Sequence, residues 1–216
     1  SLAFDFPRRS TFFRQELKSF LILSKEQGLT PLDVYGSYAG AMGYPQFMPS
    51  SWRNLAVDFD GDNKIDLLNN PVDAIGSVAN YFKSNGWKSN EAIATRAKII
   101  ADNYDEAITS KDLKTASTLA DIKSKGLDVK EGAFASTMPA SALRLQGENG
   151  AEFWLAFNNF YVITTYNRST LYAMAVMQLS QALKEARAQV NSSQSLVPII
   201  EATPATVPDA LPTATF

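Results

Sequence analysis

The run Asp58-Phe59-Asp60-Gly61-Asp62-Asn63-Lys64-Ile65-Asp66 limits what this chain can fold into more than any other feature. Clustered carboxylates repel one another unless something positive gathers them. Oxygen ligands at positions 1, 3 and 5 of the run, Asp58, Asp60 and Asp62, can converge on one hard cation. The backbone carbonyl of Lys64 at position 7 can add another ligand. Asn63 at position 6 tolerates the left-handed backbone such a loop needs, and Ile65 at position 8 can pin it to a core. Position 12 is Asn69 where an EF-hand would place a bidentate Glu, so Asp73 is the expected substitute in a longer loop. The expectation is a structural Ca²⁺ site with no chemical role. An acidic surface turn whose aspartates cap backbone amides accounts for the same residues without an ion.

Helix signals surround this loop. Phe13, Leu17, Phe20 and Leu21 recur at helical spacing before Gly28, which predicts an amphipathic helix over 10–27. Thr30-Pro31-Leu32-Asp33 and Asn70-Pro71-Val72-Asp73 both carry helix start signals, a capping side chain followed by Pro. Behind the second, Val72, Ile75, Ala79 and Phe82 line one face up to Gly86. From about residue 92 the pattern changes: 92–100 and 142–157 read as strands, the latter split by the turn Gly147-Glu148-Asn149-Gly150, and Ser117–Lys125 reads as a short helix. A last helix opens at Asn167-Arg168-Ser169-Thr170 and runs to about Gln189 on an apolar face of Leu171, Met174, Ala175, Leu179, Ala182 and Leu183. The expected fold class is therefore α+β and mainly helical. The parts expected are 1–91 (core with the cation loop), 92–157 (a small α+β insert), 158–189 (return to the core and final helix) and 190–216, a Pro/Ala/Thr-rich tail.

The absences narrow the chemistry. With no Cys and no His, disulfides, thiolate zinc sites, Ser-His-Asp triads and Cys-His dyads are excluded, leaving acid–base work to Asp or Glu. No motif calls for an organic cofactor. A net charge of -2 provides no basic field, so nucleic acid is not an expected partner. No stretch is long and apolar enough for a transmembrane segment, and the opening Ser1-Leu2-Ala3-Phe4 reads as a processed or cut product.

The segment from Gly36 to Trp52 is rich in Gly, Ala, Met and aromatics. Small residues let a backbone approach a ligand closely, although a tight packing turn would use them equally well. Its Gly40-Ala41-Met42-Gly43 and Gln46-Phe47-Met48-Pro49-Ser50-Ser51 resemble the signature of the lytic transglycosylase B family, lysozyme-like enzymes that cleave peptidoglycan. Phe6-Pro7-Arg8-Arg9, the stretch from Pro71 to Phe82, and Asn159-Phe160-Tyr161 through Tyr166-Asn167 agree, spanning about residues 4 to 189 in the expected order.

The resemblance implies a lysozyme-like core and cleavage of the MurNAc–GlcNAc β-1,4 bond to a 1,6-anhydro sugar by one Glu, without water. It implies that Ser37 and Gln46 contact the sugar, that Met42 and Gly43 shape the cleft floor, and that Tyr81, Tyr161 and Tyr166 line its walls. Arg8 and Arg9 would meet the carboxylates of the peptide stem, or else be solvated surface side chains. The family's catalytic Glu stands upstream of the Phe-Pro-Arg-Arg stretch, where this chain has only Ser1 to Asp5, so no catalytic residue is assigned and the chain alone is expected to be inactive. None of its glutamates stands in the required context, and Glu16 reads as part of a solvated helix face. The expected partners are peptidoglycan glycan strands and other cell-wall enzymes, and the expected location is the periplasm of a Gram-negative bacterium, with an outer-membrane lipoprotein as parent. A non-catalytic peptidoglycan-binding module is the alternative reading.

Overall fold

Helices form here where a start signal coincides with a face that can be buried. A computed structural model describes residues 2–109, 113–114, 117–129 and 132–194. After a short α1 (Leu2–Asp5), α2 runs Ser10–Glu26, close to its expected bounds. Its buried residues are Phe13, Glu16, Leu23 and Ser24, while Leu17 and Leu21 are exposed. The apolar face read from the sequence is thus rotated. The start signal at Thr30 yields only a turn, and Leu32 and Tyr35 stand in solvent.

Pro49 opens α3 (Pro49–Leu55), a helix the sequence reading missed. Asn70 caps α4 (Pro71–Ser84) by accepting from the Val72 amide at 2.9 Å. The face of α4 also differs from expectation. Val72 and Ile75 are exposed, and Asp73, Ala74, Gly76 and Ser77 are buried. Gly76 is required there, since a Cβ would meet the ring of Phe59 at 2.3 Å.

The next stretch supplies the β structure. Strands β1 (Ala94–Arg96), β3 (Ser117–Thr118), β5 (Pro139–Gly147) and β6 (Gly150–Ala156) form an antiparallel sheet in the order β1-β6-β5-β3. The hairpin between β5 and β6 closes with Gly147 opposite Gly150, at the turn the sequence marks. A second pair joins β2 (Lys98–Ile99) to β4 (Leu127–Asp128). Helix α5 (Leu119–Ser124) starts with a reciprocal cap between Thr118 and Asp121. It buries Leu119 and Ile122 against Leu127, Ala142, Leu155 and Phe157. A separate core in the helical part gathers Leu23, Met42, Phe47, Trp52 and Leu67.

Helix α6 (Asn158–Tyr166) follows β6, and α7 spans Thr170–Gln194, five residues beyond its expected end. Ser1–Ala173 form one unit, and Met174 onward a second. In the second unit Leu179 and Leu183 of the expected apolar face are exposed. Most of the expected tail lies outside the described residues.

Asn159 fastens the β-containing stretch to the helices. It is fully buried, its Nδ2 donates to the carbonyls of Lys88 and Glu91 at 2.7 and 3.1 Å, and its Oδ1 accepts from the Lys88 amide at 2.9 Å. Asn159→Ala would take the partner from three backbone groups of Lys88 and Glu91, a loss of roughly 1–3 kcal/mol. Urea unfolding should register it as a lower midpoint, and an unchanged midpoint would remove Asn159 from this role.

Candidate functional site

A cavity of about 390 Å³ opens between α1, α2, residues 31–42 and the start of α3. Phe4, Phe13, Phe20 and Met48 give it apolar walls, and Glu16, Ser37 and Tyr38 supply polar groups. Glu16 is only 7% exposed, so its expected place on a solvated face is corrected. Its Oε1 accepts from the Ser50 hydroxyl at 2.6 Å and its Oε2 from the Ser50 amide at 3.0 Å. The signal was present in the sequence: Glu16 lies three residues after Phe13 and four before Phe20, on the stripe those two define.

Residues 36–47 fold into two tight turns through bridges from Gly36 to Met42 and from Met42 to Phe47. Ser37 closes the first turn. Its amide donates to the Ala41 carbonyl at 2.8 Å, and its hydroxyl accepts from the Ala41 amide at 3.0 Å. Gly43, at φ +68°, lets the Leu67 carbonyl approach so near that a Cβ would stand 2.3 Å from its oxygen. Gln46 is exposed with φ +52°, a left-handed conformation that a residue with a Cβ adopts only when its surroundings enforce it. Its amide nitrogen folds back onto the Gly43 carbonyl at 2.9 Å.

The tyrosines brace this segment from its core side. The rings of Tyr81 and Tyr166 lie 5.0 Å apart, centre to centre, and 5.8 and 5.9 Å from Phe47. The Tyr81 hydroxyl donates to the Thr165 carbonyl at 2.8 Å, and that of Tyr166 to the Pro45 carbonyl. Of the residues expected to bind substrate, the cavity brings together Ser37 and Met42. Gly43, Gln46, Tyr81, Tyr161 and Tyr166 do not line it, and Tyr161 is half-buried on α6. Arg8 and Arg9 are exposed just before α2, with the Arg9 guanidinium 4.6 Å from the centre of the Phe12 ring.

In the acidic loop the carboxylates of Asp58, Asp60 and Asp62 lie within 4.8 Å of one another. Asp58 accepts from the amides of Gly61 and Asn63 at 2.7 and 2.8 Å, and Asp62 from that of Lys64 at 2.8 Å. Asn63 has φ +68°, the left-handed conformation expected at its position. Among the described residues none of the three is in an ion pair. Three hard oxygen donors converging without a counter-charge fit a divalent cation such as Ca²⁺. Asp73 does not join them. It is fully buried, and its two oxygens accept from the amides of Phe59 and Asp66 at 2.8 and 2.9 Å, so it ties the two ends of the loop together.

Burial raises the pKa of the Tyr166 hydroxyl well above its ordinary value near 10, with the neighbouring Tyr172 and Tyr81 adding to the effect. The folded state therefore keeps a proton that the unfolded chain loses. Stability is held up to about pH 10 and falls as pH rises further. Tyr166→Phe should remove this alkaline dependence while costing about 1–2 kcal/mol near neutrality, because the Pro45 carbonyl loses its donor. Thermal melts from pH 7 to 11 would show it, and parallel slopes for the two proteins would contradict it.

Residues 1–181 match the transglycosylase SLT domain family. The chain is 44% identical over 189 residues to membrane-bound lytic murein transglycosylase B of Escherichia coli K12, a match covering 88% of this chain and 50% of that protein. It thus spans about half the length of this curated relative. Among solved structures, Escherichia coli lytic transglycosylase Slt35 in complex with calcium superposes with a TM-score of 0.77 at 44% identity, over 87% of this chain and 58% of that one. SltB3 of Pseudomonas aeruginosa, in complex with NAG-anhNAM-pentapeptide, superposes at 0.70 with 32% identity, over 85% and 48%. The mainly helical, lysozyme-like α+β fold is shared with these proteins, and the chain belongs to the transglycosylase SLT domain family of lytic murein transglycosylases.

Proposed function

We propose that this chain holds peptidoglycan glycan strands in the cavity beside Glu16 and Ser37, as the glycan-holding part of a lytic transglycosylase. The observation that carries the reading is the cavity itself. Its apolar walls suit sugar rings, its few polar groups suit their hydroxyls, and Gly40, Met42, Met48 and Pro49 of the signature-like stretches line it. The relative named for murein and the neighbour bound to NAG-anhNAM-pentapeptide support the substrate class. Gln46, Gly43, Tyr81, Tyr161 and Tyr166 serve by shaping the segment and its surroundings, and Arg8 and Arg9 offer charge to the peptide stems. The β-containing stretch 92–157 is an insert between the core parts 1–91 and 158–189.

The reaction is cleavage of the MurNAc–GlcNAc β-1,4 bond. A carboxylic acid gives its proton to the departing GlcNAc O4. The MurNAc 6-hydroxyl oxygen then bonds to C1, its proton returns to the carboxylate, and a 1,6-anhydro sugar results. Among the described residues lining the cavity Glu16 is the only carboxylate. Both of its oxygens are taken up by hydrogen bonds from Ser50, which ties the side chain to the wall of the cavity. This supports glycan holding without cleavage by the chain on its own. The setting is the periplasm of a Gram-negative bacterium, with a lipid-anchored parent, in keeping with a relative described as membrane-bound. Among the described residues no helix is long and apolar enough to cross a membrane.

Incubation with purified sacculi tests the reading: the chain should pellet with them, and mass spectrometry of the supernatant should find no anhydro-muropeptides. Anhydro-muropeptides above a protein-free control would show cleavage by this chain. Failure to pellet would remove the glycan reading altogether.

Asp58, Asp60 and Asp62, with the Lys64 carbonyl, form a structural Ca²⁺ site in this reading, and Asp73 braces the loop around it. The site's job is to fix the loop, since an ion bound only by the folded chain stabilises it by mass action. Ca²⁺ at about one hundred times its Kd should add about 2.7 kcal/mol. That corresponds to a rise of roughly 5–10 °C in Tm for a chain of this size. Asp60→Asn should abolish most of the rise, and a Tm indifferent to Ca²⁺ and chelator would refute the site.

A further inference from the structure

Helix α3 begins without a cap of its own. Its N-cap residue is Met48, with no side-chain hydrogen bond to the first turn, and Pro49 has no amide to donate. The Ser50 amide is the first donor needing a partner, and Glu16 supplies it from α2, 34 residues away in sequence. The Ser50 hydroxyl donates to the other oxygen of the same carboxylate. Met48 and Pro49, immediately before this anchor, line the cavity together with Phe13 and Phe20 of the helix that carries Glu16. One buried carboxylate therefore sets the separation of two cavity walls. A second link between the same helices, Glu26 to Arg53 at 2.8 Å, is exposed and does not line the cavity.

We infer that Glu16 is a positioning residue for glycan: through Ser50 it holds the Met48–Pro49 wall at the distance that accepts a sugar ring. This rests on the proposed glycan-holding function. Replacing the carboxylate by an amide keeps the size of the side chain but removes its charge and turns one acceptor into a donor, so the Ser50 hydroxyl must reverse its role and both contacts lose their charge assistance.

The test is calorimetric binding of a GlcNAc–MurNAc tetrasaccharide to wild type, Glu16→Gln, Ser50→Ala, Ser50→Thr and Glu26→Gln, each well below its own Tm. Loss of a charge-assisted bond in the wall should raise Kd about tenfold in Glu16→Gln and Ser50→Ala. A protein carrying both Glu16→Gln and Ser50→Ala should bind no more weakly than Glu16→Gln alone, because both act through one contact. Ser50→Thr, which keeps hydroxyl and amide, should bind like wild type. Glu26→Gln, which breaks only the exposed link, should leave Kd unchanged. Equal Kd for wild type and Glu16→Gln would overturn the inference, as would a Glu26→Gln variant weakened as much as Glu16→Gln, since that would mark general helix clamping. If Glu16→Gln does not fold, the Ser50 pair decides alone: Ala binding like Thr would refute the role. No binding by wild type would instead sink the glycan reading, and this inference with it.

Discussion

A carboxylate buried from solvent, and in no ion pair among the described residues, holds the helical part of this protein in register. Asp73 is fully buried at the first turn of α4, and two backbone amides compensate its charge. The positive end of the helix reinforces them. Those amides come from Phe59 and Asp66, so the acidic loop is closed by the helix that follows it. Leu67, next in sequence and also fully buried, presents its carbonyl to Tyr44 at 2.9 Å and lies against the bare Gly43. The turn that follows takes Gln46 into the left-handed region and sends Phe47 into the core beside Tyr81 and Tyr166. Removing Asp73 would free two amides and unfasten this series at its first member, which is why the loop and the Gly36–Phe47 segment are one mechanical unit.

The cavity is built differently, from the meeting of two helices. Helix α2 reaches α3 by two carboxylates, Glu16 to Ser50 and Glu26 to Arg53. The second is a charged pair, but both partners face solvent, where such pairs contribute little. Glu16 is shielded, and its short bonds satisfy an amide that the helix start would otherwise leave open. A hydrogen bond from a serine therefore outweighs an ion pair in fixing this wall, because burial decides how much each interaction is worth.

What the sequence discloses depends on how local the cause is. The span of α2, the cap and proline at α4, and the glycine turn of the β5–β6 hairpin follow from neighbouring residues, and they are found where the spacing predicts. The convergence of Asp58, Asp60 and Asp62 and the left-handed Asn63 are local in the same way. The family signature carried the fold class further than periodicity could. Three things stayed hidden. The buried faces of α2 and α4 contain Glu16, Asp73 and Ser77, polar residues whose partners are backbone or side-chain groups distant in sequence, so hydropathy assigned those faces wrongly. Helix α3 is too short for a periodic signal and takes its cap from another helix. The hydroxyls of Tyr81 and Tyr166 look free in the sequence but bond to backbone carbonyls far away in it, a bracing role that no local pattern announces.

The bonds of those hydroxyls have a consequence for the order in which the chain can acquire its shape. Tyr166 reaches Pro45 across 121 residues, and Tyr81 reaches Thr165 across 84. Between the two ends of each link lies the whole sheet with its own core around Leu155 and Phe157. Closing so long a loop while it is unstructured costs conformational entropy, whereas a folded sheet brings its two ends together beforehand. Asn159, which joins the exit from the helices to the return from the sheet, stands at that closure. The Gly36–Phe47 turns, though complete early in the chain, thus receive their backing only after residues more than a hundred positions later have arrived. Such non-local closure makes folding slow relative to a helical protein of local contacts.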